Sequence, residues 1–225
     1  INILALIKDG ATIRGIVFDG ASEVADAIRI DDTVTGAPVV ISGCTVRNYT
    51  NRFVYVSLSG KIESLTIDDC IFIGADNSTT NKAIYASSAH TQVETLSVTN
   101  STFLNFNTGS NYFFRINCGE ELVLMPVVLI DHCTFYNCYD RRGVYLYNAG
   151  RSTIKNCISA FSERRDDTKS FTAYGDESIV KNVISYNVDL YGSAPKENII
   201  SKNPLFVDAE NGNFQLYKDS PAVGA

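Results

Sequence analysis

The chain lacks most of what would mark it for the commonest kinds of partner. Its 225 residues carry 19 Lys and Arg against 25 Asp and Glu, a formal net charge of −6. No global basic field exists to hold a phosphate backbone, so nucleic acid is not an expected partner. The longest apolar runs, such as Leu122 to Ile130, are too short to span a bilayer, and Pro126 interrupts this one. No membrane span is expected. With only 15 Gly and 5 Pro, and 45% hydrophobic against 20% charged residues, the chain is neither collagenous, low-complexity nor disordered. Histidine occurs only at 90 and 132, and no two Cys or His stand at paired zinc spacing. A Gly-x-Ser-x-Gly nucleophile elbow and a Gly-rich Lys-Ser/Thr phosphate loop are both missing. No signal-peptide pattern opens the sequence, whose first residue is Ile rather than Met. The sequence reads as a mature or trimmed fragment, so this says nothing of where the protein works.

What is present is repetition. Seven segments share one pattern of apolar, polar, small or amide residue, small apolar residue and often an aromatic. They begin at Thr12, Val40, Thr66, Ser97, Leu129, Thr153 and Ile179. Their fifth positions, 16, 44, 70, 101, 133, 157 and 183, are 24 to 32 residues apart. A second motif runs between them: Ala27–Ile30, Phe53–Val56, Ala83–Ala86, Phe113–Ile116, Gly143–Leu146 and Ser170–Ala173. Both alternate with period two and are rich in Val, Ile, Phe, Tyr and Thr, so they are short strands. Sustained helical spacing is missing. Three short strands per variable-length repeat, each stacked on its like in the next repeat, define an all-β solenoid. About seven coils at ~4.8 Å each give a stack roughly 30 Å long. Residues 1–202 form the coils, and 203–225 a closing segment of the same domain.

Two rows follow from the first motif. Gly15, Gly43, Asp69, Asn100, His132, Asn156 and Asn182 suit a tight bend, because Asn and Asp tolerate left-handed backbone angles and Gly adopts them freely. Side-chain amides stacked there could bond from coil to coil. The neighbouring row, Ile16, Cys44, Cys70, Ser101, Cys133, Cys157 and Val183, exchanges Cys for Ser, Ile and Val, which describes a small buried residue rather than a disulfide. Cys118 and Cys138 stand outside that row, either bridged or free.

The repeated apolar-Ile-x-Asn/Asp-Cys-x-Phe coil resembles the right-handed, single-stranded parallel β-helix of the pectate lyase superfamily. Val128-Leu129-Ile130-Asp131-His132-Cys133-Thr134-Phe135 is similar to that family's WIDHC-x-F stretch, with Leu129 in place of Trp. The ending Asn203-Pro204-Leu205-Phe206-Val207-Asp208, Gly212-Asn213-Phe214-Gln215-Leu216 and Ser220-Pro221-Ala222 looks like the close of secreted β-helix proteins of Bacteroidetes polysaccharide-utilisation systems. The resemblance covers residues 11 to 225. It implies a secreted or cell-surface location, on the periplasmic or outer-membrane side. The open first coil leads to the expectation of a further N-terminal portion.

In that family the strand after the longest loops faces the substrate groove, which here is the second motif. Inward Val54, Val56, Ile84, Ala86, Ile116 and Leu146 independently put Arg29, Tyr55, Tyr85, Arg115, Tyr145 and Thr172 outside, as one exposed stripe. Tyr rings offer flat faces to sugars, and Arg forks bind carboxylates bidentately. The expected ligand is therefore an extended acidic polysaccharide, bound by a monomer. Stacking for stability alone would produce the same stripe. Asp140-Arg141-Arg142 and Glu163 to Lys169 are expected on one rim, with Arg142 and Lys169 as further contacts. Asp76 to Asn81 would lie on a loop two coils earlier.

The resemblance also implies a possible chemistry, β-elimination of a polyuronide with Arg115 as base and calcium acidifying the abstracted proton. Calcium needs several converging oxygens. The flanking outward row, Asp31, Ser57, Ser87, Asn117, Tyr147 and Tyr174, supplies no acidic cluster, so no cofactor or metal site is expected. Asp131 and His132 belong to the bend and read as structural. Polygalacturonase-type hydrolysis by paired carboxylates would bring a Gly-His-Gly motif, which is absent. Asp31-Asp32, Asp68-Asp69 and Asp166-Asp167 stand without such companions.

Overall fold

The computed structural model describes residues 3–31, 36–57, 61–74, 81–88, 91–107, 112–118, 126–147 and 149–224. It is a parallel β-solenoid, as the repeats require. One sheet, the first face, contains eight strands: Ile3–Ile7, Asp26–Ile30, Arg52–Val56, Lys82–Ser88, Phe114–Cys118, Val144–Leu146, Lys169–Ala173 and Asp189–Tyr191. Each pairs in parallel with the next, so seven steps separate the eight.

The second face stacks Ala11–Arg14, Val39–Ser42, Lys61–Asp68, Gln92–Thr99 and Val127–Asp131. The third stacks Val17–Asp19, Thr45–Arg47, Ile71–Ile73, Thr102–Leu104 and Thr134–Tyr136. In the later coils the two faces join: Arg151–Ala160 continues both, followed by Ile179–Tyr186 and Lys196–Ile200. The first and last rungs, Ile3–Ile7 and Lys196–Ile200, lie beyond the repeats read from sequence.

The bend between second and third faces is where the Gly/Asn/Asp row predicts it. Gly15, Gly43, Asp69, Asn100, His132, Asn156 and Asn182 all have φ between 50° and 64°, and Asn198 adds an eighth at 48°. A left-handed residue in every coil turns the chain from the second face onto the third without lengthening it. The amides also cross-link coils: Asn100 Nδ2 donates to Asp68 at 2.8 Å, Asn156 to Asp131 at 2.9 Å, Asn182 to Asn156 at 3.1 Å and Asn198 to Asn182 at 3.0 Å. His132 stays at the surface, its Nδ1 2.7 Å from Asp131, and Lys155 reaches the other Asp131 oxygen at 3.1 Å. Burial alone would raise the pKa of Asp131; Asn156, Lys155 and His132 outweigh it and hold it below the ordinary carboxylate value.

Inside, Cys44, Cys70, Ser101, Cys133, Cys157 and Val183 are buried in a single row, while Ile16 in the first coil is exposed. Cys70 shows the local bonding, its thiol donating to the Ile41 and Asp68 carbonyls at 3.6 and 3.3 Å. Burial pushes its pKa up to about 11, so it remains a thiol. Cys138 is a free, buried thiol, so the Cys118–Cys138 bridge is not made. Phe72, Phe103 and Phe135 stack at 4.9 Å with rings 7° from parallel. Burying aromatic area of this size adds to the aliphatic core in holding the coils together.

The closing segment does not extend the stack. Phe206–Asp208 and Asn213–Leu216 form an antiparallel hairpin lying beside the third face, with Phe206 and Phe214 packed on Tyr136 at 6.2 and 5.5 Å.

Candidate functional site

The stripe is in register. Strand pairing places Arg29 beside Tyr55, Tyr55 beside Tyr85, Tyr85 beside Arg115, Arg115 beside Tyr145 and Tyr145 beside Thr172. The same register extends it to Leu6 at one end and Tyr191 at the other. Its openness is corrected by the structure. Tyr55 and Tyr145 retain 5% and 6% exposure and Thr172 none, and the Thr172 hydroxyl donates to the Arg142 carbonyl at 3.0 Å. These three side chains are covered by their neighbours rather than offered to solvent.

The covering groups form a second outward row that the period-two reading missed. It consists of the residues three positions earlier: Asp26, Arg52, Lys82, Tyr112, Arg142 and Lys169. Strict alternation would turn them inward. Two consecutive inward residues at the start of each strand, such as Phe53–Val54 and Phe113–Phe114, shift the parity and turn them out. The signal was a charged or aromatic residue recurring before each apolar pair.

Together the rows make a continuous lattice of rings and cations. Arg52 lies 3.5 Å from the Tyr55 ring centre and Arg29 5.6 Å. Tyr55 approaches Tyr85 at 6.0 Å, and Tyr85 approaches Tyr112 at 6.3 Å. Arg115 sits 4.5 Å from the Tyr112 ring and 5.8 Å from that of Tyr145, and its guanidinium donates to the Tyr112 hydroxyl. Arg142 lies 4.7 Å from the Tyr145 ring. Tyr147 stacks on Tyr145 at 5.7 Å, and Tyr174 meets Tyr147 edge-on at 5.8 Å. Each cation–ring contact contributes ~0.5–1 kcal/mol where exposed and more where desolvated. The accessible rings are at the later coils, with Tyr147 40% and Tyr191 56% exposed.

The charges along the second row have an order. Asp26, nearly buried, takes a bidentate bond from Arg52 at 2.7 and 2.8 Å. At the far end Asp189 takes Lys169 at 3.3 Å and Arg164 at 2.9 Å. Between them, Arg115 and Arg142 have no carboxylate within ion-pair distance among the described residues. Lys82, 5.5 Å from the Tyr112 ring, has its pKa lowered by desolvation, with Asp140 opposing and Arg115 reinforcing the shift.

The two charged loops do share a rim. Arg141, Arg142, Asp166, Asp167, Lys169 and Tyr191 line an open cleft of about 410 Å³. Of the expected loop at 76–81, only Asn81 lies within the described residues, and it is buried; His90 and Asp32 lie outside them. A cavity of about 400 Å³ beside the C-terminal hairpin is lined by His132, Asn156 and Asn182, but those groups are already bonded into the bend ladder. Among the described residues, no three His, Cys, Asp or Glu side chains converge as a metal would need. No helix there is long and apolar enough to cross a membrane.

Fold and site thus define a parallel β-solenoid carrying a cation–tyrosine lattice on one face. Residues 4–108, the first coils of that solenoid, match the model of a family described as a domain of unknown function (DUF4957). None of the curated proteins matches the chain.

Proposed function

We propose that this protein binds an acidic polysaccharide along its first face, as a secreted or cell-surface protein. One observation carries the reading. Six successive coils each present one cation, Arg29, Arg52, Lys82, Arg115, Arg142 and Lys169, interleaved with Tyr rings in register. Ring faces accept the apolar faces of sugars, and guanidinium forks accept carboxylates. Arg142, Tyr147 and Tyr191 supply the accessible contacts. Buried Tyr55 and Tyr145 act beneath them, fixing the cations through their rings. The resemblance to pectate-lyase-like β-helices, which act on polyuronides, supports the same class of ligand.

The test is retention in affinity gels containing polygalacturonate, alginate or chondroitin-type chains, with and without calcium. Arg142→Ala should weaken binding about tenfold, ~1.4 kcal/mol, while losing its contact with the Tyr145 ring should cost folding stability no more than about 1 kcal/mol. Folded wild-type protein retained by none of these gels would remove the proposal.

Lys82 favours a second reading, cleavage by β-elimination. A lysine with a lowered pKa beside Arg115 is a better proton acceptor than a guanidinium, which stays charged. Unsaturated-uronate absorbance that appears with wild type and vanishes in Lys82→Ala would establish that activity. Absorbance that persists in Lys82→Ala and vanishes in Arg115→Ala would return the role of base to Arg115.

A further inference from the structure

Resting on the acidic-glycan reading, we infer that the first face is a bounded site, built to hold a short acidic oligosaccharide or the end of an acidic chain rather than the interior of a long polyanion. The warrant is the charge sequence along the solenoid axis. The second outward row starts at Asp26 and ends at Asp189, and each of these carboxylates is bonded inward to the next cation, Arg52 and Lys169. Positive charge unmatched by carboxylate is thereby concentrated at Arg115 and Arg142 in the middle coils, separated from Arg29, which lies over the Tyr55 ring, by the Asp26–Arg52 pair. The far end is closed more firmly. Arg164 is committed to Asp166 at 3.2 Å and Asp189 at 2.9 Å, and Arg165 to Glu163 at 2.6 Å. These pairs place the loop before Lys169 so that Asp166 and Asp167 wall the cleft holding Arg141, Arg142 and Tyr191.

The electrostatic consequence is directional. A ligand carboxylate gains at the middle coils. One continued past Lys169 meets Asp166 and Asp189, whose counter-charges are already engaged, and Asp167 on the same wall of the cleft. From the Tyr85 rung to the Thr172 rung there are three steps. At ~4.8 Å per step this is roughly 14 Å, room for about three to four sugar units.

Calorimetric titration with oligogalacturonates and oligoalginates, from disaccharide to decasaccharide, tests the bound. Affinity should climb to the tetrasaccharide and then level off within about twofold, since added charges past Lys169 meet carboxylates and those before Lys82 meet an arginine already bonded to Asp26. The double variant Asp166→Asn/Asp167→Asn should bind the decasaccharide about threefold more tightly than wild type, as expected for removing exposed like charges, and leave the trisaccharide unchanged. Wild-type affinity that keeps rising through the decasaccharide, or a double variant that behaves as wild type, overturns the bounded site and leaves glycan binding intact. No binding at any length overturns both.

Discussion

Two stacks of polar side chains run the length of this solenoid, and they differ in how completely they satisfy themselves. At the bend between second and third faces, each amide gives its hydrogens to the neighbouring coil and accepts from the next, from Asp131 through Asn156 and Asn182 to Asn198. On the first face the ends are closed by Asp26 and Asp189, but Arg115 and Arg142 in the middle rest on tyrosine rings. A closed ladder stabilises the stack and has nothing left to offer a ligand. An incompletely neutralised one keeps a binding capacity, so of two equally regular rows the unbalanced one is the candidate site.

The comparison breaks most severely at Gly143, which lies under the first-face lattice with φ of 56°. A Cβ there would meet the Lys169 and Ser170 carbonyl oxygens at 2.2 and 2.3 Å. Gly143→Ala should lose about 3 kcal/mol or more in urea unfolding, through backbone strain and forced separation of two coils. A loss below about 1 kcal/mol would mean that the coils there are not held so closely.

At the bend, Asn156→Ala should cost about 2 kcal/mol, combining an unfavourable left-handed alanine with a lost amide bond. Asn156→Gly keeps the backbone freedom and should cost about half as much. Equal costs for the two would show that the amide bonds, not the backbone angle, explain the row.

The smallest effect is on pH dependence. The Thr99 hydroxyl and Asn100 amide lower the pKa of Asp68 against a weaker opposing effect of burial, and that of Asp131 is lowered as described above. Their folded values lie below the unfolded value of ~3.9. These carboxylates therefore stabilise the fold above about pH 4 and lose that contribution as the pH falls through the folded values. Asp131→Asn should flatten the acid limb of a stability–pH curve. An unchanged limb would assign acid sensitivity elsewhere.

Much of this architecture was legible in the sequence. Gly15, Gly43, Asp69, Asn100, His132, Asn156 and Asn182 announced the bend because few residue types accept a left-handed backbone. The Cys/Ser/Val row announced an interior position through its interchangeable small side chains. Arg29, Tyr55, Tyr85, Arg115 and Tyr145 were correctly placed in one line. What escaped was the row of Asp26, Arg52, Lys82 and Tyr112, because a local break in alternation at each strand start reversed the expected facing. The rungs at Ile3–Ile7 and Lys196–Ile200 escaped because they carry too little of the repeat motif.

By itself, the order of residues determined an all-β solenoid, its bends, its interior rows and the residues forming the first-face stripe, since short-range steric preference and two-residue alternation are written locally. Only the tertiary structure decided that Tyr55 and Tyr145 are roofed by arginines, that Asp26 and Asp189 bracket the cations, and that the C-terminal hairpin lies along the flank. Those outcomes depend on which way a side chain turns at each strand start and on contacts between coils, such as Asp26 with Arg52 and Tyr136 with Phe206. Contacts between coils are fixed by strand register, which two-residue alternation within one strand does not encode.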